Sequence, residues 1–253
     1  MEWHTYIVVV IVGVVAGIIN TLAAGGSLLT LPVLMAFGLP PNMANGTNRI
    51  AIFLQNVVGV SSFHREKIMD FPSGFRVGIP AAVGAIAGAF IAVNLNDKAM
   101  KLAIAGVMIL VFFLMLLKPN RWINSHEEHP PIPYWIQVIV FFFVGIYGGF
   151  IQAGVGFFLL TSLVLGSGFE LVKANSLKLL IILLYTPIAL LIFFLHGDVH
   201  IWMGLVLAAG NMTGALLGTR IAVKWGAVFI RYFVLVAILI AATKLIYDAV
   251  KAL

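Results

Sequence analysis

Residues 20–32, "NTLAAGGSLLTLP", interrupt one of the most apolar parts of this chain. Gly25 and Gly26 stand side by side in this stretch, and glycine is unfavourable inside a helix. The apolar residues that follow, 27–37, would extend only about 16 Å as a helix, which is about half of the hydrocarbon core of a bilayer. The stretch therefore predicts a discontinuous or re-entrant membrane helix.

The composition supports a membrane protein. The chain has 253 residues, of which 62% are hydrophobic and 9% charged, whereas soluble domains have roughly 45–50% apolar and about 25% charged residues. Its apolar runs approach the length of roughly 20 residues that a spanning helix needs, and they do not alternate as barrel strands do. We predict an all-α polytopic membrane protein. The start, Met1-Glu2-Trp3-His4, lacks the positive region of a cleaved signal peptide.

An internal duplication divides the chain. Residues 84–93 read GAIAGAFIAV and residues 214–223 read GALLGTRIAV, with six of ten positions identical at an offset of 130. The same offset pairs Ala44-Asn45 with Ala174-Asn175, Gly26 with Gly156, Gly38 with Gly168, and Lys101 with Arg231. We predict two tandem transmembrane repeats, 1–118 and 134–253, joined by a polar linker at 119–133 within one integrated membrane domain.

Each repeat contains about four hydrophobic segments in the same order, the first being a helix broken by glycine. The first repeat comprises 4–20 with 27–37, then 44–63, 74–94 and 99–117; the second comprises 135–150 with 156–166, then 172–195, 200–223 and 228–247.

The distribution of basic residues predicts that the two repeats are inverted. The loop around 64–76 carries Arg65, Lys67 and Arg76, whereas its counterpart at 196–200 has no Lys or Arg. Since Lys and Arg are enriched in cytoplasmic loops, the two loops are expected on opposite sides of the membrane. Inverted repeats with broken helices are typical of secondary transporters.

The two glycine-rich breaks are candidate anion sites. A helix that begins after a break directs backbone N–H groups and the positive end of its dipole towards a ligand. The alternative is close helix packing, since small residues are common between membrane helices; we favour a binding site because both breaks precede short helices. The candidate residues here are Asn20, Thr21, Gly25, Gly26, Ser27, Gln152, Gly154 and Gly156.

A second pair of motifs places a cation shortly after an asparagine at the start of a long span. The candidate residues are Asn45, Thr47, Asn48 and Arg49 in the first repeat, and Asn175, Ser176 and Lys178 in the second. A cation within a span is costly and is usually functional. The alternatives are a snorkelling cation near a helix end and an Asn helix cap, and the sequence leaves these open for Arg49 and Lys178.

Other patterns favour structural roles. The GAxxGxxIAV spans are interpreted as helix-packing surfaces, and Arg220 as an anchor at the cytoplasmic end. His126 and His129 fit a solvated linker, while His196 and His200 flank a turn, so we predict no metal and no cofactor. With no cysteine, the chain has no disulfide or Cys-ligated metal. Its net charge of +6 lies in loops and span ends and does not indicate nucleic acid.

The acidic residues exclude one kind of chemistry. All nine lie in predicted loops or near span ends, so a proton relay of the usual Asp/Glu kind is not supported. A cationic substrate would also lack a buried counter-charge. The sequence therefore favours an anionic or neutral substrate.

These features resemble a known family. Gly17, the Gly25-Gly26 break, LLTLP at 28–32 and ANGTNR at 44–49, with the echo AGVGFFL and ANSLK in the second half, are similar to the sulfite exporter TauE/SafE family of membrane permeases. The resemblance covers nearly the whole chain. It implies transport of sulfite, sulfoacetate, other organosulfonates or related oxyanions.

We therefore expect a secondary transporter in the cytoplasmic membrane that binds a small sulfur-containing anion and works by alternating access. Its other partners would be membrane lipid and a second copy of the chain, since its apolar outer faces permit a homodimer. A passive anion channel is the nearest alternative. An integral-membrane enzyme would need a nucleophile with a base, or a His/acid cluster, and the sequence offers neither; a scaffold role leaves the paired breaks unexplained.

Overall fold

The computed structural model describes residues 3–22, 25–117 and 132–225, and within these ranges the secondary structure is helical without strands. The helices are α1 Trp3–Leu22, α2 Ser27–Ala36, α3 Pro41–Arg65, α4 Phe71–Val93, α5 Asp97–Leu117, α6 Tyr134–Phe150, α7 Val155–Thr161, which runs into a π-helical turn at Ser162–Gly166, α8 Leu171–Leu195 and α9 Ile201–Trp225. The all-α prediction is confirmed.

The predicted segments coincide with these helices to within about three residues. The largest differences are at the starts of α3 and α4, which begin at Pro41 and Phe71 rather than at residues 44 and 74. Proline is favoured in the first turn because its fixed φ suits a helix and its missing N–H is not needed there. The described residues do not include the last predicted span at 228–247, which contains Arg231, or the linker residues His126 and His129.

Four of the described helices are long and apolar enough to cross a membrane: His4–Leu22, Phe71–Val93, Leu171–Leu195 and Ile201–Trp225. Helix α3 has 25 residues but carries many buried polar side chains, among them Asn45, Asn48, Arg49 and Gln55. It therefore lies inside the bundle rather than against lipid. The chain is a multi-pass membrane protein with a polar helix at its centre.

Helices α3 and α8 pack side by side and run antiparallel. Gly46, near the start of α3, lies against Phe193 near the end of α8, while Gly59 farther along α3 lies against Leu179. The two helices begin at Pro41 and Leu171, which are 130 residues apart, as are the starts of α4 and α9. Helices α3 and α8, which occupy equivalent positions of the duplicated sequence, thus run in opposite directions.

The small-residue spans are packing surfaces, as predicted. A Cβ added at Gly84 or Gly88 of α4 would overlap carbonyl oxygens of α6, and one added at Gly145 or Gly149 of α6 would overlap carbonyl oxygens of α4. In the same way, Gly210 and Gly214 of α9 lie against the backbone of α1. Each half therefore packs its GAxxG helix on the broken helix of the other half. Arg220 is exposed on α9.

Asp70 caps the N-terminus of α4 and ties it to α8. Its carboxylate accepts hydrogen bonds from the Ser73 backbone N–H (3.1 Å) and hydroxyl (2.8 Å) and lies 2.7 Å from the Lys173 ammonium. Bonding to Lys173 and to Ser73 lowers the pKa of Asp70 from 3.8 to about 2. Its charge therefore stabilises the folded protein above about pH 4, and this contribution is lost as the pH falls towards 2.

We expect Asp70→Asn to lower the stability of the purified protein at pH 7 by at most about 1 kcal/mol, since the pair is partly exposed and Asn remains a good N-cap. Thermal melting in detergent should show this difference shrinking from pH 5 to pH 2. A difference that stays constant over this range would show that the charge of Asp70 contributes nothing.

Candidate substrate site at the two helix breaks

The first break is closed by an amide network between α1, α2, α3 and α9. The side-chain oxygen of Asn20 accepts the Gly26 N–H at 2.7 Å, and its Nδ2 donates to Gln55 Oε1 at 3.1 Å. Asn211 Nδ2 donates to the same Gln55 oxygen at 3.2 Å. A Cβ at Gly26 would collide with the backbone carbonyl of Ala16 and with the Asn20 side chain, so glycine is required for this turn. The break is a defined polar structure within the bundle.

The second break turns at Gly154, whose φ of 73° lies in the left-handed region that glycine adopts readily. Gln152 is buried beside it and donates from Nε2 to the Tyr185 hydroxyl of α8 at 3.0 Å. Tyr147 of α6 donates its hydroxyl proton to the carbonyl of Ala153. The break is thus held from α6 and α8 by aromatic hydroxyl groups.

Arg49 of α3 covers the carbonyl end of α6. Its Nη1 donates to the carbonyl of Gly148 at 3.2 Å and to Gln152 Oε1 at 3.3 Å, and its Nη2 donates to the carbonyl of Gly149 at 2.6 Å. One turn earlier, Asn45 Nδ2 donates to the carbonyl of Phe150 at 2.8 Å. The last carbonyls of a helix lack partners within the helix and carry its negative end, so a cation stabilises them.

Lys178 of α8 covers the carbonyl end of α1 in the corresponding way. Its Nζ lies 2.7 Å from the Asn20 carbonyl, 3.4 Å from the Thr21 carbonyl and 2.6 Å from Asn175 Oδ1. Asn175 Nδ2 donates to the Thr21 carbonyl at 2.5 Å. Each half of the chain therefore supplies an asparagine and a cation to the broken helix of the other half.

The charge of this region is positive. The side chains of Arg49 and Lys178 are fully buried. Among the described residues no carboxylate is buried: Glu66, Asp97 and Glu170 are exposed, and Asp70 and Asp198 are partly exposed at helix ends. Burying a charge is costly unless it is compensated. Carbonyl dipoles compensate these two cations in part, and no anionic side chain in the described ranges does so.

One donor of Arg49 has no acceptor. Its Nε is buried and finds no hydrogen-bond partner within the described ranges. The guanidinium face also lies over the Phe193 ring, with Cζ 4.6 Å from the ring centroid. A buried N–H of a cation that is left unpaired loses the free energy of a charged hydrogen bond. It is the kind of group that an anion oxygen would satisfy.

The structure brings most of the predicted residues to the two breaks. Asn48 joins α3 to α2 by accepting from Thr30 Oγ1 at 2.8 Å and donating to Ser27 Oγ at 3.2 Å. Two residues are placed elsewhere. Thr47 accepts the His200 N–H at 2.8 Å at the start of α9, and Ser176 donates to the Lys173 carbonyl of its own helix.

Sequence reasoning overlooked several polar residues of this region. Gln55 and Asn211 connect three helices, and Tyr185 holds Gln152. Gln55 lies in the polar helix α3, whereas Asn211 and Tyr185 lie in the apolar helices α9 and α8. All three lie outside the repeated motifs. The feature that could have identified them is a polar side chain within a predicted span. Placing such a group in a membrane is costly and marks a functional or packing role.

Fold and site together define the class of protein: a multi-pass helical membrane protein whose two broken helices are each held by an asparagine and a cation from the other half of the chain. Broken helices of this kind form binding sites in membrane transporters. The chain belongs to the family described as "Sulfite exporter TauE/SafE", whose family model matches residues 9–245. The resemblance found in the sequence is confirmed.

Its relatives carry consistent names. The chain is 24% identical to "Probable membrane transporter protein ORF9" of Sinorhizobium sp, over 98% of this chain and 95% of that protein. It is 29% identical to "Probable membrane transporter protein YfcA" of Escherichia coli strain K12, over 94% and 88% of the two chains. A Haemophilus influenzae protein, "Probable membrane transporter protein", is 26% identical over 94% and 92%. No solved structure matches this chain. Family and relatives indicate a membrane transporter.

Proposed function

We propose that this protein is a secondary transporter of the cytoplasmic membrane that carries a small sulfur-containing oxyanion, such as sulfite, sulfoacetate or another organosulfonate. The observation that carries the proposal is the pair of buried cations, Arg49 and Lys178, with no buried carboxylate in the described ranges and with Arg49 Nε unpaired. The family name supports the sulfur-containing class of substrate.

The anion binds between the two breaks. The N-terminus of α2 carries the positive end of a ten-residue helix dipole, and Ser27 lies in its first turn beside Asn48. Arg49 and Lys178 supply positive charge at the carbonyl ends of α6 and α1, the helices that precede the two breaks. An anion is favoured here because it meets two desolvated cations, and a cation is disfavoured for the same reason.

Transport proceeds by alternating access between two inverted halves. The antiparallel packing of α3 and α8 supports the inversion, as does the exchange of packing partners, α4 with α6 and α9 with α1. Because Arg49 and Lys178 reach across to the opposite half, rocking one half against the other would change the environment of both cations.

Uptake of labelled sulfite into proteoliposomes tests the proposal. Unlabelled sulfite, sulfoacetate, sulfate and chloride serve as competitors, and the vesicles are loaded or not with unlabelled sulfite. A carrier gives saturable uptake that is accelerated by substrate on the opposite side. Uptake that does not saturate and shows no such acceleration would identify a channel. No flux above empty liposomes from folded protein, with any of these anions, would contradict the proposal.

We expect Asn45→Ala and Asn175→Ala to reduce sulfite uptake by about tenfold each, because both amides hold the carbonyl end of a broken helix at about 2.5–2.8 Å. Loss of such a bond costs on the order of 1–2 kcal/mol in placing the site. Asn94→Ala is the matched control, since Asn94 is exposed and its amide bonds only within α4. Wild-type flux in both site variants would contradict this assignment.

A further inference from the structure

The two cations at the breaks occupy matching places but differ in chemistry. Arg49 follows Asn45 by four residues and Lys178 follows Asn175 by three, and each cation bonds to the carbonyl end of the opposite broken helix. A guanidinium stays protonated in proteins, whereas a Lys amine can exchange its proton. One of the two positive charges can therefore be removed during a transport cycle, and the other cannot.

The contacts of Lys178 define its protonation state in this conformation. Three acceptors face Nζ: the carbonyls of Asn20 and Thr21, and Asn175 Oδ1, whose amide nitrogen is itself directed at Thr21. An ammonium has three N–H donors and no lone pair, so it matches three acceptors. A neutral amine has two donors and would direct its lone pair at an oxygen. In this conformation Lys178 is therefore protonated. In a conformation in which the α1 carbonyls move away from Nζ, these contacts no longer favour the ammonium over the neutral amine.

In the part of the chain that the structure describes, no other ionisable group bonds to the Lys178 amine. Three ionisable side chains of α3, α6 and α8 are engaged elsewhere: Arg49 of α3 with α6, Tyr147 of α6 with Ala153, and Tyr185 of α8 itself with Gln152. On α4 and α8, Asp70 and Lys173 pair with each other at the end of the helices, and Arg76 stacks on Tyr134. Within the described ranges, no carboxylate contacts Lys178, so an acidic side chain neither fixes its charge nor relays its proton.

We propose that Lys178 is the proton carrier of a proton–anion symporter. The inference rests on the proposed function and adds its coupling ion. On the loading side the amine takes one proton from water to form the ammonium, and the anion binds in the field of this charge. On the opposite side the anion leaves, the ammonium releases the same proton to water, and the neutral amine returns. One proton moves with each anion, so a monoanion moves without net charge.

The coupling requires that Lys178 be neutral while the empty site returns to the loading side. A permanently charged cation would return with its charge and would move no proton. Arg49 supplies the constant part of the anion's attraction, and Lys178 supplies the part that depends on the proton. By linkage, the anion favours protonation of Lys178 by the same factor by which protonation favours the anion.

Proteoliposomes that contain a pH-sensitive dye test this inference. For the wild-type protein, an inward gradient of sulfoacetate should acidify the lumen, and the dye together with labelled sulfoacetate should give close to one proton per anion. Lys178→Arg retains a cation with donors for the same carbonyls but cannot release a proton. We expect this variant to move less than one-tenth of a proton per anion, whatever its rate of anion exchange.

Two variants serve as matched controls. Arg49→Gln introduces no exchangeable amine and should keep the wild-type ratio of protons to anions, because Lys178 is intact, even though its flux falls. Lys173→Arg, five residues before Lys178 on the same helix and partly exposed, should change neither the ratio nor the flux.

Three outcomes overturn the inference. The first is a ratio near one in Lys178→Arg, and the second is transport of sulfoacetate by the wild-type protein without acidification of the lumen. The wild-type measurement decides even if the variant does not fold. In both cases the transporter proposal survives. If the wild-type protein shows neither anion uptake nor exchange with any tested anion, the proposed function itself fails, and the inference fails with it.

Discussion

Arg49→Gln is expected to reduce saturable anion uptake in proteoliposomes about a hundredfold. The change removes a buried charge and the unpaired Nε that we assign to an anion oxygen. A charge-assisted hydrogen bond contributes about 1.5–3 kcal/mol, and a hundredfold loss corresponds to about 2.7 kcal/mol. Gln retains an amide donor for the α6 carbonyls, so part of the structural role of Arg49 is preserved.

The prediction separates binding from folding. Arg49→Lys keeps the charge but loses the two-pronged contact with Gly148 and Gly149, so we expect an intermediate loss. Arg76→Gln removes an exposed cation that stacks 4.1 Å from the centroid of the Tyr134 ring, and should leave uptake close to that of the wild type. Melting temperatures in detergent report folding for all three variants. Uptake by folded Arg49→Gln within threefold of the wild type would contradict the site.

The fold could be predicted from the sequence because the bilayer imposes a strong constraint. Apolar runs of a given length must become helices. Glycines interrupt them where the structure does: Gly25 and Gly26 between Leu22 and Ser27, and Gly154 between Phe150 and Val155. The duplicated GAxxG pattern indicated packing, which the collisions at Gly88 and Gly149 confirm. Local chemistry was sufficient for these features.

The partners of the candidate residues could not be predicted, since they are long-range contacts. The sequence placed Asn45 and Arg49 near the substrate, but it could not show that both bond to residues 148–150 about a hundred positions away. Thr47 is a polar residue between Asn45 and Asn48, so the sequence predicted that it would bind substrate. Its position on α3 instead places its hydroxyl oxygen where it accepts the His200 N–H. Such choices depend on how the halves pack, and no periodicity within one helix records them.

The site and the packing of the halves are mechanically linked at α6. Gly149 has two roles: its Cα lies against the backbone of α4 near Ala85, and its carbonyl accepts the Arg49 Nη2 at 2.6 Å. The packing of α4 on α6 around Gly88 therefore fixes the axial position and the rotation of the C-terminal end of α6. The carbonyls at this end accept hydrogen bonds from Arg49. A change that separates α4 from α6 also moves the acceptors of Arg49.

We therefore expect Gly88→Val and Gly149→Val to be strongly destabilising, costing about 3 kcal/mol or more. The added Cβ at Gly88 meets the Ile146 carbonyl, and at Gly149 it meets the Ala85 carbonyl. Both obstacles are backbone, so no side-chain rotation relieves them, and the helices must separate. The yield of monodisperse protein and its melting temperature in detergent should fall sharply.

Gly106→Ala of α5 is the matched control. A Cβ at Gly106 would have no heavy atom of the other described residues within 4 Å, and Ala favours helix over Gly by up to about 1 kcal/mol. This variant should melt at or above the wild-type temperature. Equal stability of Gly106→Ala and Gly149→Val would mean that α4 and α6 do not pack this closely in the membrane, and the positioning of the α6 carbonyls for Arg49 would then need another cause.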